Sequence, residues 1–139
     1  MNTLTQQIPG TTSTVRVPAD WRTTTDPGIG LLAVEDMTGR FASSLTTMLD
    51  PTQHALSQAP ARAAMAGLVA PALLDTDGGE GRADVLVCHL AGGISATAKQ
   101  RQVVVPEGLL VLTFTAATSR WAVLAPVADE LLDSLERSS

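Results

Sequence analysis

The clearest pattern of apolar and polar residues lies in the last third of the chain, over residues 103–135. The run VVV-PEG-LLVLTFT predicts two adjoining strands joined by a turn at residues 106–108. Apolar residues then recur at spacings of three and four, and they are Trp121, Leu124, Ala128, Leu131, Leu132 and Leu135. That spacing predicts an amphipathic helix over residues 120–137, capped by Ser119. The side of this helix that we expect to face water carries Asp129, Glu130, Asp133 and Glu136.

The preceding residues predict the other strands of a meander. Residues 83–90 form an apolar run that is typical of a strand, and Gly92-Gly93 is typical of a hairpin turn. The returning strand covers residues 94–105, and residues 109–115 complete three long neighbouring strands. We therefore expect an antiparallel arrangement in this half of the chain.

Shorter elements are predicted in the first half. Residues 1–12 are polar and read as a flexible arm. Residues 14–17 form a first strand, which Pro18 stops, and residues 23–28 are expected to be a turn-rich loop. Trp21 is expected to fold back as a large core side chain.

Two more strands are expected before the first helix. Residues 28–35 predict a second strand, and residues 36–39 a turn. Residues 41–49 alternate apolar and polar side chains, which favours a third strand with one buried side, although a short helix remains an alternative.

The middle of the chain predicts helix. Asp50-Pro51 is a good start signal, because Asp suits the N-cap and Pro the first helical position. This helix covers residues 52–58, and Pro60 either restarts a second helix over residues 60–69 or kinks a single one. Pro71 ends it, residues 72–75 are a short strand or sheet edge, and residues 77–81 are a flexible acidic turn.

The order of these elements is strands, helix, strands, helix, which predicts an α+β protein with a mostly antiparallel sheet and helices packed against it. A chain of 139 residues is too short for two ordinary domains. We therefore expect one domain over residues 13–139 that follows the arm at residues 1–12.

Several of these segments resemble the PsbP-like fold superfamily, in particular LpqN-type and related bacterial proteins of unknown function. The segments that carry the resemblance are VRVPADW, the strand beginning RFASSL, the Ala-rich central helix, and LLVLTFTA before PVADELLDSL. The resemblance implies a six- or seven-stranded antiparallel sheet flanked by the central and C-terminal helices. It implies no activity and no catalytic residues, and most such relatives bind other proteins or have no assigned role.

The net charge of the chain indicates which classes of binding partner are not expected. The net charge is −5, and only Lys99 is a lysine among the nine basic residues. Nucleic acids and anionic membranes are bound by clustered Lys and Arg, so neither partner is expected. Lys99 and Arg101 share one strand face, which we read as a solvated face.

No run of apolar residues is long enough to cross a membrane, and the first residues lack the pattern of a signal peptide. These patterns predict a cytoplasmic protein. A secreted form would require a start upstream of Met1.

Residues with catalytic or metal-binding chemistry are few. Cys88 lies in an apolar run and is expected to be a buried, inert thiol, while His54 is expected on the solvated side of a helix. His89 follows Cys88 on a strand, so the two side chains point to opposite faces and form no Cys–His pair. The sequence Gly28-Ile29-Gly30 lacks the third glycine of a dinucleotide loop. No catalytic residue, cofactor or metal ligand is therefore predicted.

A non-enzymatic protein-binding role, as an adaptor or chaperone-like domain, is the function that we expect. Residues predicted for the interaction surface are Trp21, Arg22, Arg40, His89 and Arg101, because aromatic and Arg side chains dominate binding hot spots. A homodimer through a sheet edge or face is left open. The alternative is a small-molecule-binding protein or unrecognised enzyme with a pocket between sheet and helix near His89, Arg101 and Trp121.

Overall fold

The computed structural model describes residues 1–26, 30–36 and 41–136. Its strands are β1 (Thr3–Gln7), β2 (Thr14–Pro18), β3 (Arg22–Asp26), β4 (Gly30–Val34), β5 (Ser44–Asp50), β6 (Val69–Gly79), β7 (Arg82–Ala91), β8 (Ile94–Val105) and β9 (Gly108–Ala117). Its helices are α1 (Pro60–Met65) and α2 (Trp121–Asp133), and a single 3-10 turn, Thr118–Arg120, precedes α2.

Seven strands form one antiparallel sheet in the order β3-β4-β5-β9-β8-β7-β6, while β1 and β2 form a separate hairpin. The predicted α+β class and antiparallel meander are confirmed. Strands β7 and β8 pair without a break from Arg82 opposite Val103 to Ala91 opposite Ile94. Gly92 and Gly93 connect them with φ angles of 58° and 81°, a backbone that suits a two-residue hairpin turn.

One face of the sheet, which we call the α2 face, carries the main core. Helix α2 and the β1–β2 hairpin cover it, and Phe114, Leu110 and Leu112 lie fully buried beneath them. The helix contributes Leu124, Ala128, Leu131 and Leu132, four of the six residues whose spacing predicted an amphipathic helix. The backbone N–H of Arg16 donates to Ser134 Oγ at 2.9 Å, which ties the hairpin to the end of α2.

The opposite face, which we call the α1 face, has a thinner cover. Ala64 of α1 packs on Val85, Val87 and Ala98. Residues 51–59 cross the same face, where the backbone N–H of Ser57 donates to the buried Gln102 Oε1 at 3.1 Å. Elsewhere on this face, Leu32 and Met48 are exposed.

Two strands lie where loops were expected. In place of a flexible arm, β1 pairs along its whole length with β2, and the neighbouring Ile8 is 1% exposed in the core. In place of a turn-rich loop, β3 pairs with β4. Its three consecutive threonines are β-branched, and such residues favour extended backbone.

The predicted helix over residues 52–58 is wrong. The carboxylate of Asp50, the last residue of β5, accepts hydrogen bonds from Thr52 N at 3.0 Å and from Thr52 Oγ1 at 2.6 Å. Asp50 therefore stabilises a turn and not a helix start, as short polar side chains often do. The helix begins at Pro60, which is the restart that the proline offered.

The chain after α1 also differs from the short strand that was expected. Strand β6 runs over eleven residues and includes Pro71, with register shifts between Val69 and Ala72 and between Leu73 and Asp75. Pro lacks a backbone N–H and is tolerated at a sheet edge or bulge, so Pro71 does not end the element.

Some predicted bounds cannot be compared. Residues 28 and 29 of the second predicted strand, residues 37–39 of the predicted turn and residue 137 of the last predicted helix lie outside the described residues. Ser119, the predicted cap, makes no side-chain cap bond to α2. Among the described residues, no helix is both long and apolar enough to cross a bilayer.

Candidate functional site

Hydroxyl and amide side chains line the open part of the α1 face. The register places Thr46 of β5 opposite Thr113 of β9, and Thr113 opposite Gln100 of β8. All three are half-buried. They share this face because successive side chains of a strand point to opposite faces, so Ser44 and Thr46 of β5 lie on the same face as Thr113 and Thr115 of β9.

Helix α1 forms a wall beside these side chains and leaves a groove of about 280 Å³, which we call the α1 groove. The residues that line it are Thr46, Ala63, Ala64, Ala66, Leu68, Val87, His89, Ala98, Gln100, Thr113 and Thr115. The small side chains of α1 let the helix lie close to β7, so the groove is bounded on one side by backbone and methyl groups.

Several polar side chains line the α1 groove. None of the described residues that line it is Asp, Glu, Lys or Arg. Its polar atoms are the hydroxyls of threonines, the amide of Gln100 and the imidazole of His89, which together offer hydrogen-bond donors and acceptors. The groove therefore suits a hydrogen-bonding ligand better than an anionic or cationic one.

Two exposed apolar residues extend the same face. Leu32 pairs with Thr46 across β4 and β5, and its side chain is 41% exposed. Met48 pairs with Val111 and is 62% exposed. Apolar side chains beside hydroxyls give this face the mixed character of many transient protein interfaces.

Charged residues are concentrated on the other side of the sheet, under α2. Arg101 donates from Nε and Nη2 to the two carboxylate oxygens of Asp84 at 2.8 and 3.0 Å, and from Nη1 to Asp133 at 2.8 Å. Burial opposes the charge of Arg101, but the bonds to Asp84 and Asp133 outweigh it and raise the pKa of the guanidinium. Arg101 therefore joins β7 and β8 to the helix.

The expected solvated face of Lys99 and Arg101 is thus corrected. Arg101 is 6% exposed, and Lys99 forms an ion pair with Asp129 of α2. The helix positions 129 and 133 were predicted to face only water. They hold the helix to the sheet instead, because β8 presents two cations directly under them.

A second hollow, of about 340 Å³, lies between the edge of the α2 face and α2. Trp121, Ala125 and Leu86 form its apolar side, and the polar lining residues are Asp75, Thr76, Asp77, Asp84, Lys99 and Asp129. Two of these carboxylates, Asp84 and Asp129, are held in ion pairs with Arg101 and Lys99. They stabilise the docking of α2.

The four predicted surface residues that the structure describes do not lie in one patch. Trp21 and Trp121 lie partly buried against Phe114, with ring centroids 5.9 and 6.1 Å from it. Arg22 is exposed on β3, at the far edge of the sheet from His89. Arg40 lies outside the described residues.

His89 and Arg101 lie on opposite faces of the sheet. His89 lines the α1 groove, whereas Arg101 lies under α2. The predicted pocket shared by His89, Arg101 and Trp121 is therefore not formed.

An ion pair that the sequence did not indicate links the residue after β4 to the 3-10 turn before α2. Arg120 donates to the two oxygens of Glu35 at 2.6 and 3.0 Å, across 85 positions of the chain. This hydrogen bonding holds the pKa of Glu35 below the ordinary glutamate value, with further help from the backbone N–H of Ser43. Neither residue lies in a motif, so no sequence signal identifies the pair.

The remaining chemistry-bearing residues are dispersed. Cys88 is half-buried, which departs from the fully buried thiol that was expected, and His54 is exposed on a loop in place of the predicted helix. No group of three His, Cys, Asp or Glu is placed to hold a metal ion within the part of the chain that the structure describes.

No protein-family model and no curated protein sequence matches the chain. Several solved structures are similar to the chain. LpqN of Mycobacterium tuberculosis, described as involved in cell envelope biogenesis, has a TM-score of 0.64 at 16% identity over 99% of this chain and 90% of LpqN. The Ran-binding protein Mog1p of Saccharomyces cerevisiae has a TM-score of 0.64 at 11% identity over 99% of this chain and 96% of Mog1p.

A cyanobacterial PsbP from Synechocystis is also similar, with a TM-score of 0.60 at 13% identity over 91% of this chain and 86% of that protein. Identities this low relate the folds and carry no activity from one protein to another. With the seven-stranded antiparallel sheet, the N-terminal hairpin and the C-terminal helix in place, the chain has the PsbP-like fold.

Proposed function

We propose that the protein is a non-enzymatic protein-binding domain, an adaptor or chaperone-like module, that takes a segment of its partner in the α1 groove. The observation that carries this proposal is the open, hydroxyl-lined α1 face next to a loosely covering helix. Mog1p, which has a similar fold, is described as Ran-binding, and this supports a protein partner at the level of the fold.

The size and chemistry of the groove support a short extended segment as occupant. Ligand pockets for drug-sized molecules measure about 300 to 1,000 Å³, and the α1 groove, at about 280 Å³, lies just below that range. Its polar side chains lie on the neighbouring strands β5, β9 and β8, and neighbouring strands are about 4.8 Å apart. An extended peptide with small or uncharged polar side chains fits a shallow groove whose described lining has no carboxylate, ammonium or guanidinium group.

A charge placed in the groove tests the proposal. Thr46→Lys introduces an ammonium group among uncharged donors and acceptors, and we expect it to weaken partner binding at least tenfold in a co-purification or titration with the isolated partner. Thr76→Lys is the matched control, since Thr76 is exposed on β6 at the edge of the sheet and outside the groove. Equal binding by wild type and Thr46→Lys would reject the groove as the binding site.

A cytoplasmic location stays a prediction and is separate from the binding site. Fractionation of cells that express the natural gene, followed by immunoblotting, measures it. Recovery in an envelope or extracellular fraction would contradict that location and leave the groove proposal to be judged by its own variants.

A further inference from the structure

The two edges of the seven-stranded sheet differ in how they are protected from pairing. Strand β6 has three features that discourage a new strand: Pro71, two interruptions of register, and an Asp75 side chain that accepts the backbone N–H of Thr76 at 2.9 Å. Such features are common protections of free edges. Strand β3 at the other edge has none of them across its five residues, and its register with β4 is unbroken.

The sequence of β3 is complementary to itself in the antiparallel direction. It reads Arg-Thr-Thr-Thr-Asp, and all five residues are exposed. If two copies pair about Thr24, Arg22 of each copy lies opposite Asp26 of the other, and Thr23 lies opposite Thr25. Opposite charges and Thr–Thr pairs at directly facing positions both stabilise a pair of strands.

The two charge pairs also fall on the same face of the sheet. Arg22, Thr24 and Asp26 alternate with Thr23 and Thr25, so their side chains share the face that carries Leu32 and Val34. A twofold axis through Thr24 makes the two Arg–Asp pairs equivalent, as an isologous interface requires. No such complementarity exists in β6, where the acidic residues Asp75 and Asp77 lie together near one end.

We propose that β3 is a homodimer interface, in which β3 of one copy pairs antiparallel with β3 of a second copy about Thr24 and joins two seven-stranded sheets into one. The inference does not depend on the α1 groove, whose lining residues include none from β3. The paired segment is short, and stable interfaces bury about 1,200 Å² or more, so the dimer is weak and forms at micromolar or higher concentration.

Analytical ultracentrifugation of the full chain, from low micromolar to about millimolar concentration, measures this association. We expect a concentration-dependent dimer whose dissociation constant rises severalfold between about 0.05 and 0.5 M salt, because exposed charge pairs are screened. A monomer at every concentration would overturn the proposal.

Charge reversal tests the register. Arg22→Asp places like charges opposite Asp26, and we expect the dissociation constant to rise at least tenfold. The double variant Arg22→Asp, Asp26→Arg reverses both partners of each pair, and we expect it to recover the wild-type constant within about threefold. Failure of the double variant to recover association, or a dimer that Arg22→Asp leaves unchanged, would overturn the proposed pairing.

A second pair of variants separates the two sheet edges without touching those charges. Thr24→Lys sets two ammonium groups opposite each other at the twofold axis, and we expect it to abolish the dimer. Thr76→Lys makes the same substitution at the β6 edge, and we expect no change. Loss of the dimer in Thr76→Lys alone would assign the contact to β6 and contradict the inference.

Discussion

At the scale of single residues, Arg101 under α2 has the most deeply buried side chain among the described cations that form ion pairs. Arg101 and Asp84 are almost fully buried, so each has lost most of its contact with water. The cost of that loss is offset only while both charges are present and hydrogen-bonded. Asp133 is 64% exposed and adds a third contact that reaches the helix.

Removal of the guanidinium should therefore lower the free energy of unfolding substantially. We expect Arg101→Met to lower the free energy of unfolding by about 3–5 kcal/mol, because the buried carboxylate of Asp84 loses both short hydrogen bonds and keeps only the partly exposed Arg82, 3.9 Å away, as a cationic neighbour. Urea unfolding followed by circular dichroism measures the change. The matched control is Lys99→Met on the same strand face, whose partner Asp129 is half exposed, and there we expect a loss under about 1 kcal/mol. Equal losses for the two variants would contradict this account.

The pair of Glu35 and Arg120 predicts a pH dependence. Since hydrogen bonds from Arg120 lower the pKa of Glu35 in the folded state, the pair stabilises the protein fully above the ordinary glutamate pKa. That stabilisation is lost as the pH falls through the lower pKa of the folded state. We expect Glu35→Gln to be less stable than wild type at neutral pH and to lose less stability between about pH 5 and 3.

Unfolding free energies of the wild type, Glu35→Gln and Arg120→Gln across that pH range measure the effect. Arg120→Gln removes the other half of the pair and should flatten the decline in the same way. A decline of Glu35→Gln that runs parallel to wild type would show that this carboxylate is not responsible.

At the scale of elements, the turn between β8 and β9 depends on a glycine with a positive φ angle. Gly108 has φ +148°, and a Cβ added to it would lie 2.3 Å from the carbonyl oxygen of Asp50 and 2.9 Å from Pro51 Cα. Both atoms belong to backbone, which cannot rotate away as a side chain can. The turn therefore packs directly against the end of β5.

Alanine substitutions at two turns distinguish the effect of this close contact from the effect of a positive φ angle. Gly92 has φ +58° with nothing within 4 Å of an added Cβ. Gly92→Ala should therefore lower the free energy of unfolding only by the strain of a left-handed backbone, about 1–2 kcal/mol. We expect Gly108→Ala to cost at least about 3 kcal/mol, because the clash is added to the strain. Thermal and urea unfolding measure both. A smaller loss at Gly108 than at Gly92 would contradict the close packing of this turn.

The elements also show what a sequence can and cannot predict. The bounds of β8 and the register-defining turn at Gly92-Gly93 follow from local patterns, because long amphipathic runs and turn glycines act on their neighbours. The helix expected over residues 52–58 fails because the Asp50 side chain bonds Thr52 in a turn, a local competition that the Asp-Pro signal does not reveal. Strands β1 and β3 are polar, and only their pairing partners, β2 and β4, identify them as strands.

The candidate site was predictable only in part. His89 does lie in a groove between a helix and the sheet, but the Thr and Gln side chains around it come from three strands whose order the sequence does not state. Arg101 was assigned to a surface because exposed and ion-paired strand arginines have the same local pattern. Its burial follows from α2, which places Asp133 above it.

At the scale of the whole molecule, the two faces of the sheet differ in depth of cover. The α2 face is closed by a thirteen-residue helix and a hairpin, whereas α1 has six residues and one buried side chain, Ala64. Little apolar surface holds α1 in place, and segments with few buried contacts open at low free energy. We therefore expect α1, which borders the groove, to open at a lower free energy than α2 does.

Hydrogen exchange tests this difference. We expect the amides of α1 to exchange at least about a hundredfold faster, relative to their intrinsic rates, than those of β8 and β9 in the centre of the sheet. Mass spectrometry of exchanged peptides resolves the two regions. Equal protection of α1 and the central strands would contradict the view of α1 as a loosely held wall.

The central claim is that the protein binds a partner at the α1 groove, and site-specific photo-crosslinking in the native cell tests it most directly. A photoreactive residue at position 113, in the groove, should give one discrete adduct that mass spectrometry identifies, and Thr46→Lys should abolish it while Thr76→Lys should not. A photoreactive residue at Val123 is the control, since that side chain is 78% exposed on α2, away from the groove. An adduct from Val123 but none from position 113, or an adduct that survives Thr46→Lys, would contradict the account.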